Sequence, residues 1–206
     1  MVVTETASAG CFTTTPDYTV VKSDIILPVI LICPSNISIN AAAGSCTGVA
    51  TWTEPVGSDN CTASGSLIWT KNFSSGASFL VGTTTVTYTA QDATGNTSLP
   101  CSFTVTVLDT QVPTIIAPAN VVISNDAGVC TASGVSLGVP VTADNCTVAG
   151  VTNDAPATFP LGLTTVTWTV TDVSGNSATA TQTVTVNDTQ APVAQCKTFT
   201  VYLDIS

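Results

Sequence analysis

The chain has 206 residues, of which 44% are hydrophobic and only 8% charged; its three basic residues are Lys22, Lys71 and Lys197, it has no histidine, and its net charge is −10. Without His or Arg there is no Ser-His-Asp triad, no His-ligated zinc and no guanidinium clamp for phosphate. So acidic a chain also offers nothing to nucleic acid or to insertion in an anionic membrane. Glu5, Glu54 and the scattered aspartates show no paired spacing suited to glycoside hydrolysis, so a protein that is not an enzyme is expected.

In chain order, the start Met-Val-Val-Thr-Glu-Thr lacks the basic and apolar regions of a signal peptide. Eight cysteines occur with no C-x-x-C spacing and no histidine. They read as disulfides of an exported protein rather than as a metal site, and the chain as a mature or excised piece of it. Next comes Ile25-Ile26-Leu27-Pro28-Val29-Ile30-Leu31-Ile32, an apolar run broken by a proline and far short of the ~20 residues that span a bilayer. It predicts a fully buried strand or an interface strand.

Beyond this point the chain repeats itself. Val81 to Asn96 (VGTTTVTYTAQDATGN) returns as Leu161 to Asn176 (LGLTTVTWTVTDVSGN), and Thr104 to Pro113 returns as Thr183 to Pro192. Asp59-Asn60-Cys61-Thr62 returns as Asp144-Asn145-Cys146-Thr147. Two modules are therefore predicted, at 27–111 and 112–190, flanked by a strand-like segment at 1–26 and by 191–206. Within each, apolar residues alternate with threonine (Val86, Tyr88 and Ala90 against Thr85, Thr87 and Thr89), the period of a half-buried strand. Asp92-Ala-Thr-Gly95-Asn96 and Asp172-Val-Ser-Gly175-Asn176 read as hairpin connections, where Gly and Asn tolerate positive φ. The expected class is all-β: two tandem β-sandwiches with an extra strand-forming segment at each end.

The ordered set Cys33-Pro34, Gly44-Ser45-Cys46, Asp59-Asn60-Cys61, Phe79-x-Val-Gly82-Thr-Thr-Thr-Val-Thr-Tyr88, Asp92-x-x-Gly95-Asn96 and Cys101-x-Phe103-Thr-Val-Thr-Val107 resembles the hyalin repeat (HYR). That resemblance implies immunoglobulin-like modules of extracellular or cell-surface proteins, in tandem arrays linked to adhesion. The second module departs from the pattern, with Ala117 and Ala180 where the first has Cys33 and Cys101. Two cysteines lost together predict a Cys33–Cys101 bridge; by elimination Cys46–Cys61 and Cys130–Cys146 are expected to pair locally.

Two cysteines remain. Pro192-Val-Ala-Gln-Cys196 aligns with the start of a module, so 191–206 reads as the first strand of an incomplete third one, and Cys11-Phe12-Thr13 resembles Cys101-Ser-Phe103-Thr104, the end of a preceding one. At opposite ends of two modules they are too far apart to bond within one chain, and an intersubunit Cys11–Cys196 disulfide is expected instead. The corresponding expectation is head-to-tail assembly, with 191–206 docking beside residues 1–32 of the next copy; a fragment of a longer tandem chain is the alternative.

Six N-x-[ST] sequons, at Asn36, Asn60, Asn72, Asn96, Asn145 and Asn187, are glycosylation candidates, although a chain this rich in Ser and Thr produces some by chance. No cofactor is expected. Asp109 and Asp188, in the Asp-Thr-Gln-x-Pro junctions, are weak Ca²⁺ candidates if Asp92 or Asp172 comes close, and otherwise turn-forming acceptors. Trp52, Trp69, Trp168 and Tyr88 read as core rather than as a sugar-stacking platform. The whole predicts a structural extracellular protein, the subunit or repeat unit of a fibre, stalk or adhesin, with a carbohydrate- or protein-binding adhesion module as the alternative.

Overall fold

The computed structural model describes residues 2–4, 17–19, 23–198 and 200–202. Near the start, β1 (Val2–Thr4) pairs antiparallel with β2 (Asp17–Thr19). Cys11 lies outside the described residues. The chain divides into two compact units, 1–42 with 46–109 and 43–45 with 110–206.

The first unit contains β3 (Val29–Ile32), β4 (Ile37–Asn40), β5 (Thr47–Val49), β6 (Val56–Ser58), β7 (Ile68–Lys71), β8 (Ser78–Leu80), β9 (Gly82–Gln91) and β10 (Cys101–Leu108), with one 3-10 turn at Ser64–Ser66. Its main sheet runs β4-β10-β9-β7, and the pairs β3-β6 and β5-β8 complete the sandwich. The second unit has β11 (Thr114–Ile116), β12 (Val121–Ser124), β13 (Thr131–Ser133), β14 (Val141–Ala143), β15 (Val148–Asn153), β16 (Thr158–Pro160), β17 (Gly162–Asp172) and β18 (Ser177–Asn187). Its sheets, β12-β18-β17-β15, β11-β14 and β13-β16, repeat the same plan. In both, the opening segment divides between sheets: its first half pairs antiparallel in a short sheet, and its second half runs parallel to the last strand. This is the all-β sandwich architecture expected from the alternation, with the immunoglobulin-like plan that the hyalin-repeat resemblance implies.

Period-2 burial explains the cores. Along β9, Val86, Tyr88 and Ala90 are buried; along β10, Cys101, Phe103, Val105 and Val107 meet them. The intervening threonines face out and link strands, Thr83 Oγ1 to Thr106 Oγ1 and Thr87 Oγ1 to Ser102 Oγ, each at 3.1 Å. Val166, Trp168, Val184 and Val186 build the second core around Phe159 and Ala132. Trp52 and Trp69 are partly buried against the first core, and Trp52 Nε1 donates to the Tyr88 hydroxyl at 2.8 Å. Burial pushes the Tyr88 phenol up to about 12; its acceptance of the Trp52 bond opposes this and Glu54 adds to it. Gly48 is required by space, because a Cβ there would lie 2.9 Å from Ile39 Cδ1 and 3.1 Å from the Asn40 carbonyl.

The two hairpins share one device. Gly95 (φ 96°) and Gly175 (φ 91°) take the left-handed turn, whereas no described non-glycine residue has positive φ, Asn96 and Asn176 included. Asp92 Oδ1 accepts from the Thr94 and Asn96 amides at 2.9 and 2.8 Å, and Asp172 Oδ1 does the same from Ser174 and Asn176. Burial raises both carboxyls, but these hydrogen bonds outweigh it and hold each below its ordinary 3.8. A depressed folded value stabilises the fold fully above pH ~3.8, and that contribution is lost as pH falls through the folded value. Circular-dichroism acid titration of the Asp172→Asn variant is therefore expected to show a shallower loss of stability below that pH than the parent. Equal slopes would remove the assignment.

Of the strand expected in 191–206, the described residues, 191–198 and 200–202, lie outside any strand. A single strand with no sheet beside it has nothing to pair with.

Candidate functional site: the apolar edge and its neighbouring loops

Among the described residues β3 pairs on one side only, with β6, and the register slips between Ile30 and Ile32. The run at 25–32 is not the fully buried strand that was one of the two expectations. Pro28 is buried and Ile30 partly so, but Ile25 is 78%, Leu31 61% and Ile32 62% exposed. A strand on a sheet edge turns only one side chain in two toward the sandwich. Among the described residues nothing covers the other face or pairs with the second edge. Beside it a cleft of about 550 Å³ is lined by Leu27, Val29, Ile30, Leu99, Pro100 and the Cys33–Cys101 pair.

The structure bonds Cys33 to Cys101 at a Cα separation of 5.7 Å, tying the approach to β4 to the first residue of β10. The local pairings expected for the other module cysteines are corrected: Cys61 and Cys130 are exposed free thiols, whereas Cys46 and Cys146 are each disulfide-bonded. The reason is distance along the long strands. The Cys46 carbonyl accepts from the Val81 amide at the start of β9, while Thr62, next to Cys61, accepts from the Ala93 amide beyond its end. Ten strand residues at about 3.3 Å each separate the two ends by roughly 30 Å, against the ~7 Å a disulfide allows. Cys130 and Thr147 are held in the same way at opposite ends of β17. Cys196 is free and exposed.

The Asp-Asn-Cys motif serves instead as a turn. Asp59 Oδ2 accepts from the Cys61 and Thr62 amides at 3.0 and 2.8 Å, and Asp144 Oδ2 from the Cys146 amide at 2.9 Å. In the first unit this turn packs against two other segments. Asp24, on the approach to β3, accepts at Oδ1 from the Ile26 amide (3.0 Å) and Asn60 Nδ2 (3.3 Å), and its carbonyl accepts from Asn96 Nδ2 (3.0 Å). One oxygen each of Asp24, Asp59 and Asp92 then lies within 4.8 Å of the others. Burial first, and then these three acids, push the Cys61 thiol up, toward its protonated form.

The Ca²⁺ candidates named from sequence behave differently. Asp188 is exposed and its Oδ1 accepts from the Gln190 amide at 3.0 Å, the turn-forming alternative. Asp109 is buried. The Asp24–Asp59 partnership was missed because it joins residues 35 positions apart, with no spacing signature. Of the sequon asparagines, Asn36, Asn60, Asn72 and Asn187 are exposed, and Asn96 and Asn145 half-buried. Asn72 donates to the Thr85 carbonyl and Asn145 to the Ser45 carbonyl, while Asn36 only accepts, from the Thr104 amide. Tyr88 and Trp168 are core residues and form no surface platform.

The HYR domain model matches residues 23–107 and 108–186. Hyalin of Strongylocentrotus purpuratus is 36% identical over 184 residues, covering 85% of this chain and 15% of that protein. Hyalin of Lytechinus variegatus is 34% identical over 183 residues, covering 84% and 34%. The chain thus spans a minor part of either relative. Among solved structures, protocadherin gamma C5 EC1-3 gives 13% identity and a TM-score of 0.39 over 91% of this chain and 76% of its own. Human protocadherin-24 EC1-2 gives 11% and 0.37 over 79% and 100%.

Proposed function

Because the chain belongs to the HYR domain family, extracellular immunoglobulin-like repeats of adhesion type, we propose that it is a structural unit that assembles head to tail in a fibre, stalk or surface adhesin. Its setting is extracellular or cell-surface, where the Cys33–Cys101 bridge is maintained. The observation that carries the reading is the open edge of β3. An unpaired edge with exposed Ile25, Leu31 and Ile32 beside an apolar cleft is a template for strand addition. The proposed occupant is the 191–206 segment of the preceding unit, where Val193, Val201 and Tyr202 are exposed and unpaired with any strand. Cys196 and Cys11 are proposed to lock that contact covalently, and a surface glycosylated at exposed sequons such as Asn36 and Asn187 would leave the edge itself clear.

Sedimentation velocity on the full chain tests this, with Val29→Lys/Leu31→Lys as the edge-blocked variant. The expected result is concentration-dependent oligomers for the parent, cross-linked on non-reducing gels, and monomer for the variant. A parent that stays monomeric across the accessible range overturns self-assembly. Binding of glycans or a receptor by that monomer would then favour the adhesion-module alternative.

A further inference from the structure

We propose that Asp24, Asp59 and Asp92 form a Ca²⁺ site at the end of the first module, next to the β9–β10 hairpin. Three segments far apart in sequence each bring one carboxylate oxygen to a common point, all within 4.8 Å of one another. Two oxygens opposite each other across a Ca²⁺ ion, at about 2.3–2.6 Å from it, lie about 5 Å apart, so the spacing matches its coordination sphere.

A second observation is independent of that clustering. Each of the flanking carboxylates uses one oxygen for local hydrogen bonds: Asp24 Oδ1 with Ile26 and Asn60, and Asp59 Oδ2 with Cys61 and Thr62. The remaining oxygens, Asp24 Oδ2 and Asp59 Oδ1, are shut off from solvent and have no hydrogen-bond partner. Removing an ionised carboxylate oxygen from water without a partner is costly, and a cation is the partner that removes the cost for both together. Asp92, only 2% exposed, is held in place by Thr94 and Asn96. Lys71 is engaged with Glu54, so among the described residues of this unit no basic side chain neutralises the three acids.

The donor chemistry selects the ion. Three carboxylates with no histidine form a hard oxygen set. An open cavity of about 630 Å³ lined by Ser23, Asp24, Asn60, Cys61 and Thr94 leaves room for water as the remaining ligands. In sequence two of the three signatures recur in the second module: Asp144-Asn-Cys146 and Asp172-x-x-Gly175-Asn176 match Asp59-Asn-Cys61 and Asp92-x-x-Gly95-Asn96. Asp144 Oδ1 is likewise buried without a hydrogen-bond partner. The site also differs from assembly at the β3 edge, since binding is expected in the monomer.

The test is calorimetric titration of the chelator-treated full chain with CaCl₂, alongside melting in CaCl₂ and in EDTA. Saturable binding on the order of 10⁻⁴–10⁻³ M is expected, with a rise in melting temperature, and binding of MgCl₂ at least about tenfold weaker. Asp59→Asn and Asp24→Asn are each expected to remove one bound ion per chain or weaken it at least about tenfold, with the β circular-dichroism spectrum retained. The two variants sit on different loops, so a folding failure in one leaves the other to decide. No Ca²⁺-dependent heat or melting shift up to about 10 mM, or binding by folded variants equal to that of the parent, overturns the site.

Discussion

Replacing Cys33 and Cys101 together by alanine is expected to destabilise the first module by about 4 kcal/mol while leaving the second unchanged. The bridge closes a loop with a sequence separation of 68, and constraining a loop of that length in the unfolded chain contributes about 4 kcal/mol in the chain-entropy model. It joins the two segments that the fold must hold side by side, the approach to β4 and the start of β10, which pair in parallel at Ile37–Asn40 and Val105–Leu108. Parallel pairing of the first and last strands is the most non-local contact of the module, so its closure entropy is the largest. Cys101 is also a buried member of the core, and alanine there removes packing around Tyr88 and Phe103 as well. For a module of this size the loss corresponds to a drop in melting temperature of more than about 15 °C. Substitution is preferable to reductant, because Cys46 and Cys146 are disulfide-bonded too. The measurement is hydrogen exchange under native conditions, where β9 and β10 amides should lose protection and β17 and β18 amides should keep it. A loss below about 1 kcal/mol would mean that the strand ladder alone holds the ends.

How much of this was readable beforehand differs from residue to residue, for physical reasons. Strands β9, β10, β17 and β18 were legible because threonine alternates with Val, Tyr or Trp, and period 2 is a local property of the chain. The Cys33–Cys101 bridge was legible from the joint change to Ala117 and Ala180, a comparison the repeat itself supplies. The pairing of Cys46 and Cys61 misled because elimination within one module left each only a local partner. β9 carries the two neighbourhoods to opposite ends of the module. Residues 25–32 were read from hydropathy as either a fully buried or an interface strand, because whether an apolar strand is central or at an edge depends on sheet order, which no local pattern encodes. The same holds for Asp24. Its role arises only when three loops meet, and by sequence it is an acid before an apolar run. Gln182 was also missed, since a polar residue in an alternating strand is read as facing water.

Gln182→Leu is expected to cost the second module about 2–3 kcal/mol, although it replaces a polar core residue by an apolar one of similar size. Gln182 occupies the position that Phe103 has in the first module and is completely buried. Its Oε1 accepts from Trp168 Nε1 at 3.1 Å, and its Nε2 donates to the Ala119 and Leu137 carbonyls at 2.7 and 2.9 Å. Leucine would leave the buried Trp168 donor without a partner, at about 1–3 kcal/mol, and would free the part-buried Ala119 and Leu137 carbonyls at a smaller cost each, offset in part by the gain in apolar burial. The bond to Ala119 also has an architectural counterpart. It ties the segment before β12 to β18, 63 residues on, as Cys33–Cys101 ties the segment before β4 to β10 across 68. The second module therefore lacks the covalent tether at Ala117 and Ala180 but has a buried hydrogen-bonded one a few residues away. A double-mutant cycle with Trp168→Phe separates this role from packing, since the indole donor is removed while an aromatic ring remains. A coupling of about 1 kcal/mol or more between the two substitutions, read from urea unfolding by circular dichroism, is expected if the pair acts as a unit. Additive effects, or a Gln182→Leu chain as stable as the parent, would show that hydrophobic packing alone closes the second sandwich.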